Sequence, residues 1–407
     1  MLNRRGLVAT TLAAPLLLTT RARAQQLPTL RLGVLTDLSG QYRDNSGPTS
    51  VLAAKQAVED FRPETHGFQV EIIAADHQQK PDIGASIARS WFDRESVDAV
   101  ADVNNTAIAL AVRNLVIERD KTLLISGAAS ADLTGKWCNP NSIHFAPDTY
   151  GNAHSTGNAV LKLGKKKWFL VVADYVFGQT LEAEVRNVVQ AGGGQVIGSV
   201  RYPFPGTTDF AAFLLQAQTS GADVVAMCST GGDMENAVKQ AHEFGLGTTA
   251  TIAAMFGFIT EVHAMSLPIA EGLYLSEPFY WDLNERTRAF TNRFLPKTNG
   301  NYPSSLHAAC YAATLHWMKT AKANGPEAMR SGRAAIAAMK AISTDDDCFG
   351  TASIRADGRF LADLHLFQAK TPAQSRAPWD VYNAIAPTRG VDAYRPLAES
   401  ACQMARG

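Results

Sequence analysis

Apolar and polar positions along this chain repeat one unit many times: a short apolar run, a small polar loop, then apolar residues at helical spacing. The first unit sets the pattern. Residues 30–35 (LRLGVL) read as a strand, and a loop rich in Asp, Ser, Gly and Asn follows with one aromatic, Tyr42. Pro48 and Thr49 then open a helix with Val51, Ala54, Val58 and Phe61 at amphipathic spacing. A strand that feeds a helix through such a loop puts the loop at the carboxyl edge of a parallel sheet, where open α/β sheets bind small ligands. Tyr42 and Asp44 are therefore the first candidate ligand contacts.

The unit recurs with strands at 69–74, 98–103 and 122–126 and helices at 81–93 and up to 119, the latter capped by Asn104-Asn105-Thr106. A short strand at 143–146 reads as a crossing out of this first series. A second series follows, with strands at 167–173, up to 200, 222–228, 251–254 and 272–276. Its helices fall at 152–163, 179–190, 210–219 and 233–244. The aromatic, Pro-bearing stretch 277–282 suits a second crossing. Three helical segments then run 284–294, 305–322 and 326–342, and strands at 350–354 and 363–368 are expected to pair across Ala356-Asp357-Gly358. The tail from 371, rich in Pro, Ala and Arg, is expected on the surface. Strand–helix alternation sustained twice predicts an α/β protein of two similar lobes, each a parallel sheet flanked by helices, with a ligand cleft between them.

Composition narrows the function classes. Of 407 residues, 38 are Lys or Arg and 38 are Asp or Glu, so a neutral chain without a basic cluster argues against nucleic acid as a partner. The N-terminus carries Arg4 and Arg5, an apolar run at 6–18 and Ala22-Arg23-Ala24, the layout of a signal peptide cleaved after residue 24. The run is too short for a permanent membrane span. Asn3-Arg4-Arg5-Gly6-Leu7 permits the twin-arginine route beside the general secretory one. The mature protein is thus expected to be soluble and outside the cytoplasm. Five cysteines (Cys138, Cys228, Cys310, Cys348, Cys402) allow disulfides there and leave at least one thiol.

No nucleophile elbow, phosphate loop or zinc-protease motif occurs, and no histidines pair at metal spacing. Asp345-Asp346-Asp347 lacks the alternating ligands of a calcium loop and reads as a turn. Nothing assembles a nucleophile, a base and an oxyanion site, so neither enzyme activity, nor a cofactor, nor a metal is expected. A lone Cys228 at a strand end reads as a small buried hydrophobe.

LRLGVLTDLSGQY…AAKQAVEDF at the start, LLISGAASADLTG, DYVFGQ and the final FGTASIRADGRF together resemble the periplasmic ligand-binding proteins of the branched-chain amino acid family, which serve ABC importers. The resemblance covers nearly everything from 30 to about 368. It implies two Rossmann-like lobes joined by three crossings and closing on a ligand by hinge motion. The first lobe would span 27–145 plus 279–345, the second 146–278 plus 346–370, with 371–407 as the tail. By resemblance the first lobe holds a ligand carboxylate through loops that here read Asn104-Asn105-Thr106 and Ala128-Ala129-Ser130, naming Asn105, Thr106, Ala128 and Ser130. Tyr42 would cover the ligand. Phe177 with Ser229, Thr230 and Gly231 would face it from the second lobe.

One departure changes the ligand expected. Amino-acid binders of the family carry an acidic residue after the strand at 251–254 to pair with the ammonium, and this chain reads Ala254-Met255-Phe256-Gly257. A buried ammonium without its partner is costly; Asp44 or Asp174 would have to substitute. An aromatic or oxo acid is favoured instead, walled by Met255, Phe256, Phe279, Tyr280 and Trp281. An amino acid or amide ligand is the alternative. The resemblance also suggests a Cys138–Cys402 bridge, a periplasmic monomer and an ABC permease in the inner membrane as partner. A ligand sensor on the same fold is the competing role.

Overall fold

The computed structural model describes residues 27–405; the segment read as a signal peptide lies outside the described residues. Strands β1 (Thr29–Thr36), β2 (Gln69–Asp76), β3 (Ala99–Asp102), β4 (Thr122–Ile125) and β5 (Ser142–His144) form one parallel sheet in the order β2-β1-β3-β4-β5. The helices α1 (Gly47–Phe61), α2 (Pro81–Arg94) and α3 (Thr106–Arg119) connect them. Every residue of β3 and β4 is buried, because helices cover both faces of the sheet. The strand order turns back between β1 and β3, so the loops after these two strands open a crevice at their carboxyl ends.

The second lobe repeats the plan. After α4 (Thr149–Lys162) come β6 (Lys167–Ala173), α5 (Val176–Ala191), β7 (Gln195–Tyr202), α6 (Ala211–Thr219), β8 (Val224–Cys228) and α7 (Gly231–Glu243). Next are β9 (Thr251–Ala254), α8 (Ile259–Met265), α9 (Leu267–Ala270) and β10 (Tyr274–Glu277). Its crevice lies between β6 and β8, where the order again reverses. The chain then returns to the first lobe as α10 (Glu285–Phe294), α11 (Ser305–Asn324) and α12 (Gly332–Ala341). Almost all of α11 is buried, with Ala308, Ala309 and their neighbours packed into the core shared with α1.

Two expectations about the C-terminal third are corrected. The chain does turn back at Ala356-Asp357-Gly358, where Ile354 and Phe360 form a single antiparallel bridge, but the strands expected at 350–354 and 363–368 do not form a ladder. β12 (Gly350–Ala352) pairs with β11 (Thr344–Asp346). The turn between them is made by Asp346, whose Oδ1 accepts the N–H groups of Cys348 and Phe349, both at 2.8 Å. The acidic run is therefore a turn, flanked by ion pairs from Arg286 to Asp345 and Asp347. β13 (Leu364–Ala369) joins the second sheet instead, antiparallel to β10 and to β14 (Tyr382–Thr388). Cys348, Ile354 and Phe360 sit in the first-lobe core, so the chain stays there beyond residue 346 and crosses only near 361–363.

The tail likewise does more than cover the surface. β14 is the edge strand of the seven-stranded sheet, and Trp379, Val381 and Tyr382 are buried in that lobe's core. Beyond α13 (Gly390–Ala393), Arg395 pairs with Glu184 of α5, and Cys402 is bridged to Cys138 of the first lobe. Anchors on both lobes explain why a Pro- and Arg-rich segment holds a fixed path.

Candidate ligand-binding site

The two crevices face each other around a small pocket, partly open to solvent. The first lobe contributes Tyr42 and Asn45 from the loop after β1, Asn104 and Thr106 after β3, and Ala128 and Ala129 with Gly127 after β4. Leu306, in the first turn of α11, closes that side. The second lobe adds Tyr175, Phe177, Thr230, Phe256 and Phe258. No lysine, arginine, aspartate or glutamate side chain lines it. Aromatic walls supply the apolar surface, and polar groups are few.

Each polar group is held by its neighbours. Asn104 accepts from His77 Nε2 at 2.7 Å and from the N–H of Asp37 at 3.2 Å. Burial lowers the His77 pKa, which keeps the ring neutral with Nδ1 free to accept from Gln79 N–H at 3.2 Å. The carbonyls of Ala128 and Ala129 accept from His144 Nε2 and Thr149 N–H, fixing the small-residue loop. Thr106 is the first residue of α3, and its hydroxyl is buried without a hydrogen-bond partner. Asn45 Oδ1 is the other lining side-chain atom in that state. Five helices of thirteen or more residues (α1, α3, α5, α7 and α11) begin at or beside these lining residues. Side chains and main-chain groups take up many of their first N–H groups, and the helix dipoles remain to favour an anion in a pocket lined by no cation.

The lobes touch across the cavity. Tyr42 and Tyr175 meet hydroxyl to hydroxyl at 2.6 Å, with Phe204 stacked on both rings. Burial raises both phenol pKa values well above the ordinary range, so both stay protonated. Gly232 N–H donates to the Gln41 carbonyl at 3.0 Å. Asn45 Nδ2 reaches Glu261 Oε1 at 3.0 Å, and that carboxyl also accepts from the Thr230 hydroxyl and from the N–H groups of Gly231 and Phe258. Burial, aided by the charge of Glu235, pushes Glu261 up to about 8. Gly231 has φ +66°, and a Cβ there would stand 2.7 Å from the Tyr42 ring, so only glycine lets the lobes approach this closely.

Of the residues expected at the site, Tyr42, Thr106, Ala128, Phe177 and Thr230 line the cavity, as does Phe256. The others do not, each for a local reason. Asp44 is exposed and faces Arg43. Asn105 spends its oxygen capping α3 and its amide N–H on Gln79. Ser130 caps a short turn and donates to Thr180. Asp174 is half-exposed beside Gln179 and Arg201. Ser229 is buried behind Thr230, and Gly231 gives its N–H to Glu261. Met255 packs between α4 and α5 in the second-lobe core. Phe279 packs on Phe290 and Phe349, while Tyr280 stacks near Phe367 and donates to the Trp379 carbonyl, so both serve the hinge. Asn45, Tyr175, Phe258 and Leu306 are missed outright, and Asn104, Gly127 and Ala129 line the pocket from loops singled out for other residues. Tyr175 and Asn45 each adjoin a residue singled out, whereas Leu306 has no local signal.

Residues 29–375 match a family model described as periplasmic binding protein. The chain is similar to a periplasmic binding protein from Burkholderia mallei, with 38% identity over 92% of this chain and 99% of that one and a TM-score of 0.89. It is also similar to a branched chain amino acid ABC transporter periplasmic ligand-binding protein from Burkholderia xenovorans LB400, with 38% identity over 92% and 100% and a TM-score of 0.80. A solute binding protein from R. palustris solved in complex with benzoate shares the fold, with 19% identity over 92% and 99% and a TM-score of 0.81. No curated protein matches the chain. With a two-lobed α/β fold, a pocket at the lobe junction and a family match over most of its length, the chain belongs to the periplasmic binding proteins, of the leucine/branched-chain amino acid-binding type that serves ABC transporters.

Proposed function

We propose that this protein captures a small aromatic monocarboxylate between its lobes in the periplasm and delivers it, as a monomer, to an ABC permease in the inner membrane. The observation that carries the reading is the combination of an aromatic-walled cavity without a charged side chain and a buried, unpartnered Thr106 hydroxyl at the start of α3. A carboxylate suits that end, because helix N-termini and neutral donors stabilise negative charge. An aromatic ring suits Phe177, Phe256 and Phe258. An α-ammonium fits poorly. Glu261, which bonds Asn45 and Thr230, lies outside the cavity lining and already accepts four hydrogen bonds from the protein.

The second reading is a branched-chain amino acid, favoured by the likeness to the branched chain amino acid ABC transporter ligand-binding protein of Burkholderia xenovorans. The benzoate-bound R. palustris protein adds nothing to the choice, since at 19% identity it speaks for the fold alone. Cleavage of the N-terminal segment after residue 24 and export by either route belong to the same proposal.

A thermal-shift screen of ligand-free mature protein tests it, because a ligand that binds only the folded state raises Tm by mass action. Benzoate-class acids should raise Tm and leucine should not. The reverse result favours the amino-acid reading.

A further inference from the structure

We infer that the ligand carries one hydroxyl donor besides its carboxylate, and that Asn45 selects for it; this rests on the aromatic-acid reading above. The hydrogen-bonding atoms of the lining residues divide into acceptors and donors. Asn45 is 2% exposed, and its amide orientation is set by its neighbours. The Thr230 hydroxyl gives its only hydrogen to Glu261 at 2.9 Å, so towards Asn45, 3.4 Å away, Thr230 Oγ1 acts as an acceptor. Glu261 Oε1 accepts on the same side at 3.0 Å. Both neighbours call for Nδ2, which leaves Oδ1 as the half of the amide without a partner. The Asn45 main chain is fixed as well, since its carbonyl accepts from Ser304 Oγ at 2.7 Å.

The remaining inventory is of donors. Thr106 offers an unpartnered hydroxyl. The Tyr42–Tyr175 contact uses one of two phenolic hydrogens, so the pair has a second one to give. Asn104 offers no second acceptor, because its oxygen is taken by His77 and Asp37. A carboxylate satisfies donors and leaves Asn45 Oδ1 buried and unpaired, at a penalty large enough to discriminate between ligands. An ammonium brings three donors and a charge, and no carboxylate among the lining residues meets that charge. A ring hydroxyl brings one donor to that acceptor, and the counts match.

Isothermal titration of the wild-type mature protein with benzoate and with 2-, 3- and 4-hydroxybenzoate tests the inference. At least one hydroxy isomer should bind about tenfold or more tightly than benzoate. In Asn45→Ala that preference should fall to about unity, with benzoate affinity changing less than that of the preferred isomer. If benzoate binds as tightly as every isomer, Asn45 does not select a donor and the inference fails while the aromatic-acid reading stands. If no aromatic acid binds and leucine does, both fall. The wild-type comparison decides even if Asn45→Ala does not fold.

Discussion

The hydroxyls of Tyr42 and Tyr175, one from each lobe, stand 2.6 Å apart across the mouth of the cavity. Phe204 stacks on both rings, so the contact joins the lobes through apolar area and one hydrogen bond. It exists only when the lobes are together, and free energy released there favours closure. Tyr175→Phe should weaken ligand binding by about three- to tenfold, the worth of one hydrogen bond, with Tm of the ligand-free protein nearly unchanged. Calorimetric titration against wild type checks this; an unchanged affinity would mean the pair does not contribute to closure.

Gly231 allows the Tyr42 loop to rest on the start of α7. A side chain there is strained at φ +66° and meets the Gln41 carbonyl and the Tyr42 ring of the other lobe, so it holds the lobes apart. For Gly231→Val, small-angle scattering should show the same radius of gyration with and without ligand, and affinity should drop more than tenfold by the loss of closure. Ligand-induced compaction equal to wild type would refute this role.

Glu261 gives the protein a pH dependence with a defined sign. Its pKa rises from an ordinary 4.5 to about 8, and Glu277 and Asp233 rise to about 7, each mainly by burial. Between these limits the folded protein holds protons that the unfolded chain has released, so stability falls as pH rises. Tm should therefore decline between about pH 5 and 8. Glu261→Gln should flatten the decline, and an unaltered slope in differential scanning calorimetry would remove Glu261 as a source.

The Cys138–Cys402 bridge closes a separation of 264 residues and ties the tail to the first lobe after the tail has supplied β14 to the second. Loop-closure arguments give such a bridge about 2–5 kcal/mol. Cys402→Ser should lower Tm by several degrees without abolishing ligand binding. An unchanged Tm would show that Arg395–Glu184 and the β13–β14 pairing hold the tail unaided.

The loops of the site are legible in the sequence, while the residue within each loop is less so. Thr106, Ala128, Phe177 and Thr230 all follow strand ends that apolar periodicity reveals. Asn105 and Gly231 stand one position away and are drawn instead into a helix cap and a carboxyl cradle, choices that depend on tertiary neighbours. Leu306 reaches the cavity because α11 returns from the second lobe to lie on α1, a contact no local pattern records. The same holds for β14: strand propensity in 382–388 is diluted by Ala, Asn and Pro, and the β13 edge supplies what the sequence lacks.

On the proposed reading the cavity takes a carboxylate without an ammonium, anchored at Thr106. The most direct measurement is calorimetric titration of ligand-free mature protein with benzoate, hydroxybenzoates and leucine, repeated with Thr106→Val. The account predicts binding of an aromatic acid, no binding of leucine, and a loss of about tenfold or more in the variant. Tight binding of leucine, or aromatic-acid binding indifferent to Thr106→Val, would contradict it.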